Sequence, residues 1–249
     1  MVATETWLSG EMKDGEVGTE NKFCSDYAIY RKDRNINLKG GVLVAVKNAH
    51  ISSKVEELDT KCEIVWVRVN VEGKKSLLVG GYYHPHTTDE DSHDQLKLSL
   101  ERLVSSTQHI WFAGDFNLPD IMWETNTIRE DSRHKNIQQR FMDTFDETGL
   151  EQLITEPTRG DNTLDLFLTN NQTLISQWKV IDGISDHSAV LVDGLIAPKR
   201  TKELPRRIPL YKKGNWDLLG RHMKQFYQEM RVNITQDANV DYLWCSKRH

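Results

Sequence analysis

Seven short apolar stretches constrain this chain more than anything else in it: GGVLVAVK, EIVWVRVNV, SLLVGGYYHP, HIWFAGDF, TLDLFLTN, QWKVID and SAVLVDGL. Each alternates at period two or is rich in Val, Ile and Trp over the length of one strand, so each is predicted as a strand. Between two of them, SHDQLKLSLERLVSST places Leu96, Leu100, Leu103 and Val104 on one helical face, with Ser92 and Gln95 at capping-box spacing. Further on, RHKNIQQRFMDTFDETGL sets Ile137, Phe141 and Phe145 four apart and stops at Gly149, a residue suited to a left-handed helix end. Groups of strands with only a few helices among them predict a mixed, sandwich-like α/β fold rather than a strictly alternating parallel sheet.

A chain of 249 residues can hold one large α/β domain with an appendage, and 38% apolar residues with seven Trp supply its core. No apolar run is long enough to span a bilayer, and the opening MVATETWLSGEMKDGE lacks the basic and apolar regions of a secretion signal. Cys24, Cys62 and Cys245 stand singly, which fits a reducing, intracellular compartment and neither a disulfide framework nor a Cys-based zinc site. The expectation is a protein that is neither secreted nor membrane-bound.

The net charge of −5 conceals an asymmetry. From Pro198 onward there are 12 Lys and Arg against 5 Asp and Glu, whereas residues 1–197 carry 20 against 32. The segment PKRTKELPRRIPLYKKGNW, with three prolines and seven basic residues, is predicted as an extended linker. Its Arg206, Arg207, Lys212 and Lys213 are candidate nucleic-acid contacts. Beyond it, Trp216, Leu219, Met223 and Phe226 trace one face of an amphipathic helix. Two regions are therefore expected, an acidic body over 1–197 and a basic linker and helix over 198–249.

Polar residues recur where the strand-like runs stop: Glu5 in TETWL, Tyr83 in YYHPH, Asp115 and Asn117 in GDFN, Asp165 in TLDLFL, Asp186 and His187 in SDHSAV. Strand ends converge in space, and sites are built there. Glu5, Asp115 and Asp186 offer the hard oxygen ligands that Mg²⁺ prefers. Asp115, with Asn117 as a neutral partner, suits the positioning and deprotonation of a water, and His187, oriented by Asp165, suits donation to a phosphoryl oxygen. Tyr83 is a further candidate, either to bind phosphate or to help the leaving oxygen. His84 and His86 flank Pro85 without Cys or His partners, which argues against a structural zinc. On this chemistry alone the chain reads as a metal-dependent hydrolase.

Taken in order, ETWL, GGVLVAVK, YYHP, GDFN, TLDLFLTN and SDHSAV resemble the endonuclease/exonuclease/phosphatase superfamily, and most of all the endonuclease domain of non-LTR (LINE-type, jockey-like) retrotransposons. The resemblance covers about residues 3–195. It implies a four-layered, DNase I-like α/β sandwich and Mg²⁺-dependent, or Mn²⁺-dependent, phosphodiester cleavage. It also implies Glu5 as metal ligand, Tyr83 as active-site tyrosine, Asp115 and Asn117 as the water- and phosphate-positioning pair, and Asp165 as the residue orienting His187. Asp186 and His187 match the closing pair, and Thr158 in EPTR matches a phosphate-contacting Thr. The implied function is nicking of double-stranded DNA in the nucleus to prime reverse transcription, with element RNA and a reverse transcriptase domain as partners. A superfamily phosphatase or repair nuclease, and a non-catalytic domesticated remnant, are the rival readings. One departure is plain. The family opens with a strand bearing an Asn and a helix before its Glu, whereas here Glu is residue 5, so the domain is expected to be N-terminally incomplete.

Overall fold

The computed structural model describes residues 1–11, 26–34, 39–72, 75–86, 88–104, 107–183, 185–200 and 215–236, the last seven by backbone alone. The chain divides into two units, Met1–Glu203 and Leu204–His249. In the first unit the strands are β1 (Val2–Thr4), β2 (Tyr27–Lys32), β3 (Val42–Lys47), β4 (Ser52–Lys54), β5 (Glu63–Val69), β6 (Leu77–Tyr83), β7 (His109–Asp115), β8 (Ile121–Met122), β9 (Thr127–Ile128), β10 (Glu151–Gln152), β11 (Asp165–Thr169), β12 (Ile175–Ile181) and β13 (Ala189–Gly194). Helix α1 (Glu90–Glu101) lies between β6 and β7, and α2 (Lys135–Thr148) between β9 and β10. In the second unit the described element is α3 (Trp216–Gln236), whose Trp216, Leu219, Met223 and Phe226 are exposed. No described helix is long and apolar enough to cross a membrane.

All seven stretches predicted as strands are strands. The short β1, β4, β8, β9 and β10 were not legible, because two or three residues carry too little periodicity, and the six-residue β2, YAIYRK, was not predicted either. The central sheet runs β10-β11-β7-β6-β5-β4, antiparallel except for the parallel pair β6 and β7, with α1 as the crossover between them. Smaller sheets are β1-β3-β2, β12-β13 and β8-β9.

Both faces of the central sheet are covered, and the period-two pattern of EIVWVRV decides what each covers. Ile64 and Trp66 point into a core with Leu96 and Leu100 of α1 and Phe141 and Phe145 of α2. Val65, Val67 and Val69 pack with Val42 and Val44 of the β1-β3-β2 sheet. The Trp66 indole stacks on Phe112 at 5.1 Å and donates to Ser99 Oγ, which donates to Leu58 O, so the one polar atom of the largest core side chain is satisfied. Helices α1 and α2 with β8-β9 cover one face of the central sheet, and the β1-β3-β2 sheet covers the other.

Two local expectations are corrected. The α1 cap is Asp89, whose carboxylate accepts from Ser92 N, while Gln95 accepts from Lys61 N instead of closing a capping box at Ser92. A carboxylate at the helix start is favoured by the helix dipole as well as by the hydrogen bond, and it outcompetes the hydroxyl. Val104 lies past the helix end and is exposed, unlike Leu96, Leu100 and Leu103. Gly149 ends α2 at φ 67°, as its sequence position foretold. The basic segment begins pinned: Val71 bridges to Pro198, His50 to Arg200, and Lys199 N donates to Asn70 O.

His84 and His93 are buried beneath the helices. His84 lies between Phe116 O and Asp89 O, and His93 Nε2 faces Arg140 O and Thr144 Oγ1. Burial holds both imidazoles below their ordinary basicity. A folded pKa below the unfolded one makes a contribution that is present above the unfolded value of 6.5 and lost as pH falls through the folded value. Urea midpoints of wild type and His93→Gln should therefore converge as the pH drops below 6.5, and a constant gap would show that His93 does not titrate with unfolding.

Candidate active site

The parallel pairing of β6 with β7 and the antiparallel pairing of β7 with β11 put Tyr83 opposite Asp115 and Asp115 opposite Asp165. Paired positions share a face, so a phenol and two carboxylates stand in a row across the sheet. Tyr83 faces the β1-β3-β2 side, where β1 ends. There Glu5 takes a left-handed backbone, φ 50°, and its Oε1 accepts from Tyr83 Oη at 2.7 Å. At the other end of the row, His187 Nδ1 lies 2.8 Å from Asp165 Oδ2. Glu5, Tyr83, Asp115, Asp165 and His187 thus form one continuous constellation.

Asn117 closes it from below. It too is left-handed, φ 48°, a conformation Asn tolerates better than most residues. Its backbone N–H donates to Asp115 Oδ1 at 3.0 Å, and its amide donates to Asp115 Oδ2 at 3.1 Å and to His84 O at 2.7 Å. His84 N in turn donates to Asp115 O. Among the described residues, two of the four positive-φ residues that are not glycine are therefore site residues, and such outliers persist where surrounding contacts over-determine them.

Electrostatics follow from this crowding. Asp115 is buried, and burial together with the neighbouring charge of Asp165 pushes its carboxyl up to about 7. The hydrogen bond to Asp165 raises the His187 imidazole above its ordinary value. Burial and the bond to Glu5 push the Tyr83 phenol well up, so it stays a neutral donor.

Asp186 and Thr158 are placed differently from the other expected residues. Asp186 is exposed, and its Oδ2 pairs with Arg159 Nη2 at 2.5 Å. Thr158 is buried, and its hydroxyl accepts from Leu164 N and Asp165 N, both at 3.0 Å. Thr158 thereby fixes the start of β11 and with it Asp165. Arg206, Arg207, Lys212 and Lys213 lie outside the described residues.

Sequence reasoning missed Arg34, which lies 5.8 Å from the Tyr83 ring centroid while its Nε donates to Glu63 Oε1. Nothing in the sequence links residues so far apart. Arg159 was also missed, although it follows Thr158 within EPTR.

Among the described residues no group of three or more His, Cys, Asp or Glu is arranged to hold a metal ion. Mg²⁺ needs fewer protein ligands, because it keeps several waters and takes one or two carboxylates. The donors present fit that requirement: the carboxylates of Glu5 and Asp165 lie near enough to Asp115 for both to disfavour its charge.

The sequence family described as endonuclease-reverse transcriptase matches residues 77–191, which contain every member of the constellation except Glu5. Over that stretch, which is less than half of the chain, the chain is similar to that family. The fold is shared with solved structures. The endonuclease domain of TRAS1, a telomere-specific non-LTR retrotransposon, is 19% identical with a TM-score of 0.53, over 73% of this chain and 82% of that one. The Xenopus laevis APE2 catalytic domain is 14% identical with a TM-score of 0.56, over 82% and 88%. A 3′ phosphatase, NExo, from Neisseria, bound to product DNA hairpin, is 12% identical with a TM-score of 0.55, over 78% and 87%. No curated protein matches the sequence.

Proposed function

We propose that the chain is a metal-dependent DNA-nicking endonuclease domain of the kind carried by non-LTR retrotransposons, acting on duplex DNA so as to leave a primer for reverse transcription. The observation that carries this reading is the unbroken row from Glu5 through Tyr83, Asp115 and Asp165 to His187, assembled by strand register. The endonuclease-reverse transcriptase match over residues 77–191, which span the row from Tyr83 to His187, supports the retroelement assignment.

A divalent cation, Mg²⁺ or Mn²⁺, held by Glu5 with Asp115, would supply charge stabilisation at the phosphoryl oxygens. The chain's own groups do the rest. Ionised Asp115, its oxygens fixed by Asn117, accepts a proton from a water aimed at phosphorus. The P–O3′ bond breaks as the new P–O bond forms, and the departing 3′ oxygen takes up a proton. His187 gives Nδ1–H to Asp165, so its protonated form presents Nε2–H to a non-bridging oxygen. Tyr83, held neutral, gives its one hydroxyl proton to Glu5 and so positions that carboxylate; it donates to the phosphate only on releasing Glu5.

Supercoiled plasmid is the substrate for the test. Relaxation in Mg²⁺ that is abolished by EDTA and by His187→Ala supports the reading; nicking indifferent to either overturns it. A parallel assay with a 3′-phosphate-ended duplex reports a phosphatase, should monoester release exceed nicking.

The pH dependence is set by the same two groups. Activity should rise as Asp115 ionises near pH 7 and fall at higher pH as His187 loses its raised proton. Asp165→Asn removes the largest influence raising His187, so initial rates in that variant should show the alkaline limb displaced to lower pH. An alkaline limb that stays in place would remove His187 from the protonated role.

A further inference from the structure

Arg159 is held at the mouth of this constellation by two independent devices. The first is its turn: Thr158 N and Arg159 N both donate to Asn162 O, Asn162 N donates back to Arg159 O, and Gly160 takes φ 55°. From outside, Arg129 Nη2 donates to Asn162 Oδ1 at 3.2 Å, and Ser188 N donates to Thr158 O at 2.7 Å, tying the turn to the loop that carries His187. The second device is the carboxylate of Asp186, which fixes one guanidinium nitrogen.

The Arg159 side chain is nevertheless 49% exposed. An exposed ion pair contributes little to stability, about 0–1 kcal/mol, so stability is a weak account of why the pair is there. A guanidinium presents five donors in a planar fork matched to phosphate, and Asp186 occupies one edge only. Arg159 is also close enough to His187 for its charge to oppose the proton that Asp165 favours there. The molecule therefore holds an oriented cation, open to solvent, beside the histidine of the cleavage site.

We propose that Arg159 is a substrate-binding residue that takes a backbone phosphate of duplex DNA next to the one being cleaved, and that Asp186 is the positioning residue for its guanidinium. This deepens the endonuclease reading and rests on it. The ligand chemistry is a phosphodiester anion, read without regard to base sequence. Arg159 sets register on the backbone and leaves bond breaking to the row behind it.

The test separates binding from cleavage. Fluorescence anisotropy of a short labelled duplex, with Ca²⁺ in place of Mg²⁺, is recorded across a salt series for the full chain. Each lost phosphate contact lowers the slope of log K against log salt by roughly one unit. Arg159→Ala is expected to lose that unit and to bind roughly 10-fold more weakly at moderate salt. Arg159→Lys should recover the slope but not the full affinity, because an ammonium keeps the charge and loses the fork. Asp186→Asn should weaken binding with the slope retained. In plasmid nicking, Arg159→Ala should raise KM more than it lowers kcat. An unchanged slope in Arg159→Ala, with circular dichroism matching wild type, overturns the proposal. A wild-type chain that binds duplex with the expected slope but never nicks would sink the endonuclease reading and leave the phosphate contact standing.

Discussion

Asp115→Asn is expected to lose at least about 10²-fold in nicking rate and to be more resistant to urea than wild type at about pH 8. The two effects share one cause. Asp115 is 2% exposed and shares its surroundings with Asp165 and Glu5, so ionising it is opposed by burial and by like charge, and its carboxyl is pushed up from 3.8 to about 7. For an acid raised in this way, the folded state favours the protonated form. Stability is full below the unfolded value of 3.8 and is lost as pH rises through the folded value near 7. Asparagine keeps the shape and some of the hydrogen bonding to Asn117 and never carries the charge. The gain should be on the order of 2 kcal/mol at about pH 8 and should vanish by about pH 4. Urea midpoints at both pH values, set beside single-turnover nicking, decide it. A variant less stable than wild type at the higher pH would show that the charge on Asp115 is not the stored strain inferred from its neighbours.

Gly114→Ala is the substitution expected to damage the fold most. Gly114 has φ 150° and pairs with Tyr82 across the parallel β6–β7 contact, where an added Cβ would lie 1.8 Å from Tyr82 O. That neighbour is backbone in the middle of the sheet and cannot yield without moving β6 or β7. Moving β7 takes Asp115 out of line with Tyr83 and Asp165. A loss of about 3 kcal/mol or more, or failure to accumulate as soluble protein, is expected. Gly149→Ala is the matched control. It also has a positive φ, 67°, but a Cβ there meets nothing within 4 Å, so its cost should be only about 1 kcal/mol. Equal urea midpoints for the two variants would mean that the β6–β7 pairing tolerates a Cβ after all.

How far the sequence could be read depended on the range of the interaction. EIVWVRV and HIWFAGD declare themselves as strands because their pattern is local, and α2 does so through Ile137, Phe141 and Phe145. The identities of Glu5, Tyr83, Asp115, Asn117, Asp165 and His187 were likewise legible, since polar residues that interrupt apolar runs need a reason to be there. Their mutual placement was not. Glu5 and Tyr83 are 78 positions apart, and only the packing of β1 and β3 over the central sheet joins them. The burial of Thr158 and the pairing of Asp186 with Arg159 lay beyond the sequence for the same reason, because Thr158 and Asp186 look alike to a pattern of types whether they face a ligand or a neighbour.

The sequence by itself determined the strands, the two core helices and the residue types available for phosphodiester chemistry, because periodicity and strand-ending polar residues are encoded within a few positions. Only the tertiary structure decided which of those residues act together. Register, a long-range choice enforced by burying Val65 and Val67 on one face and Ile64 and Trp66 on the other, sets Tyr83, Asp115 and Asp165 in line. Burial then turns an ordinary aspartate into a group that titrates near neutrality.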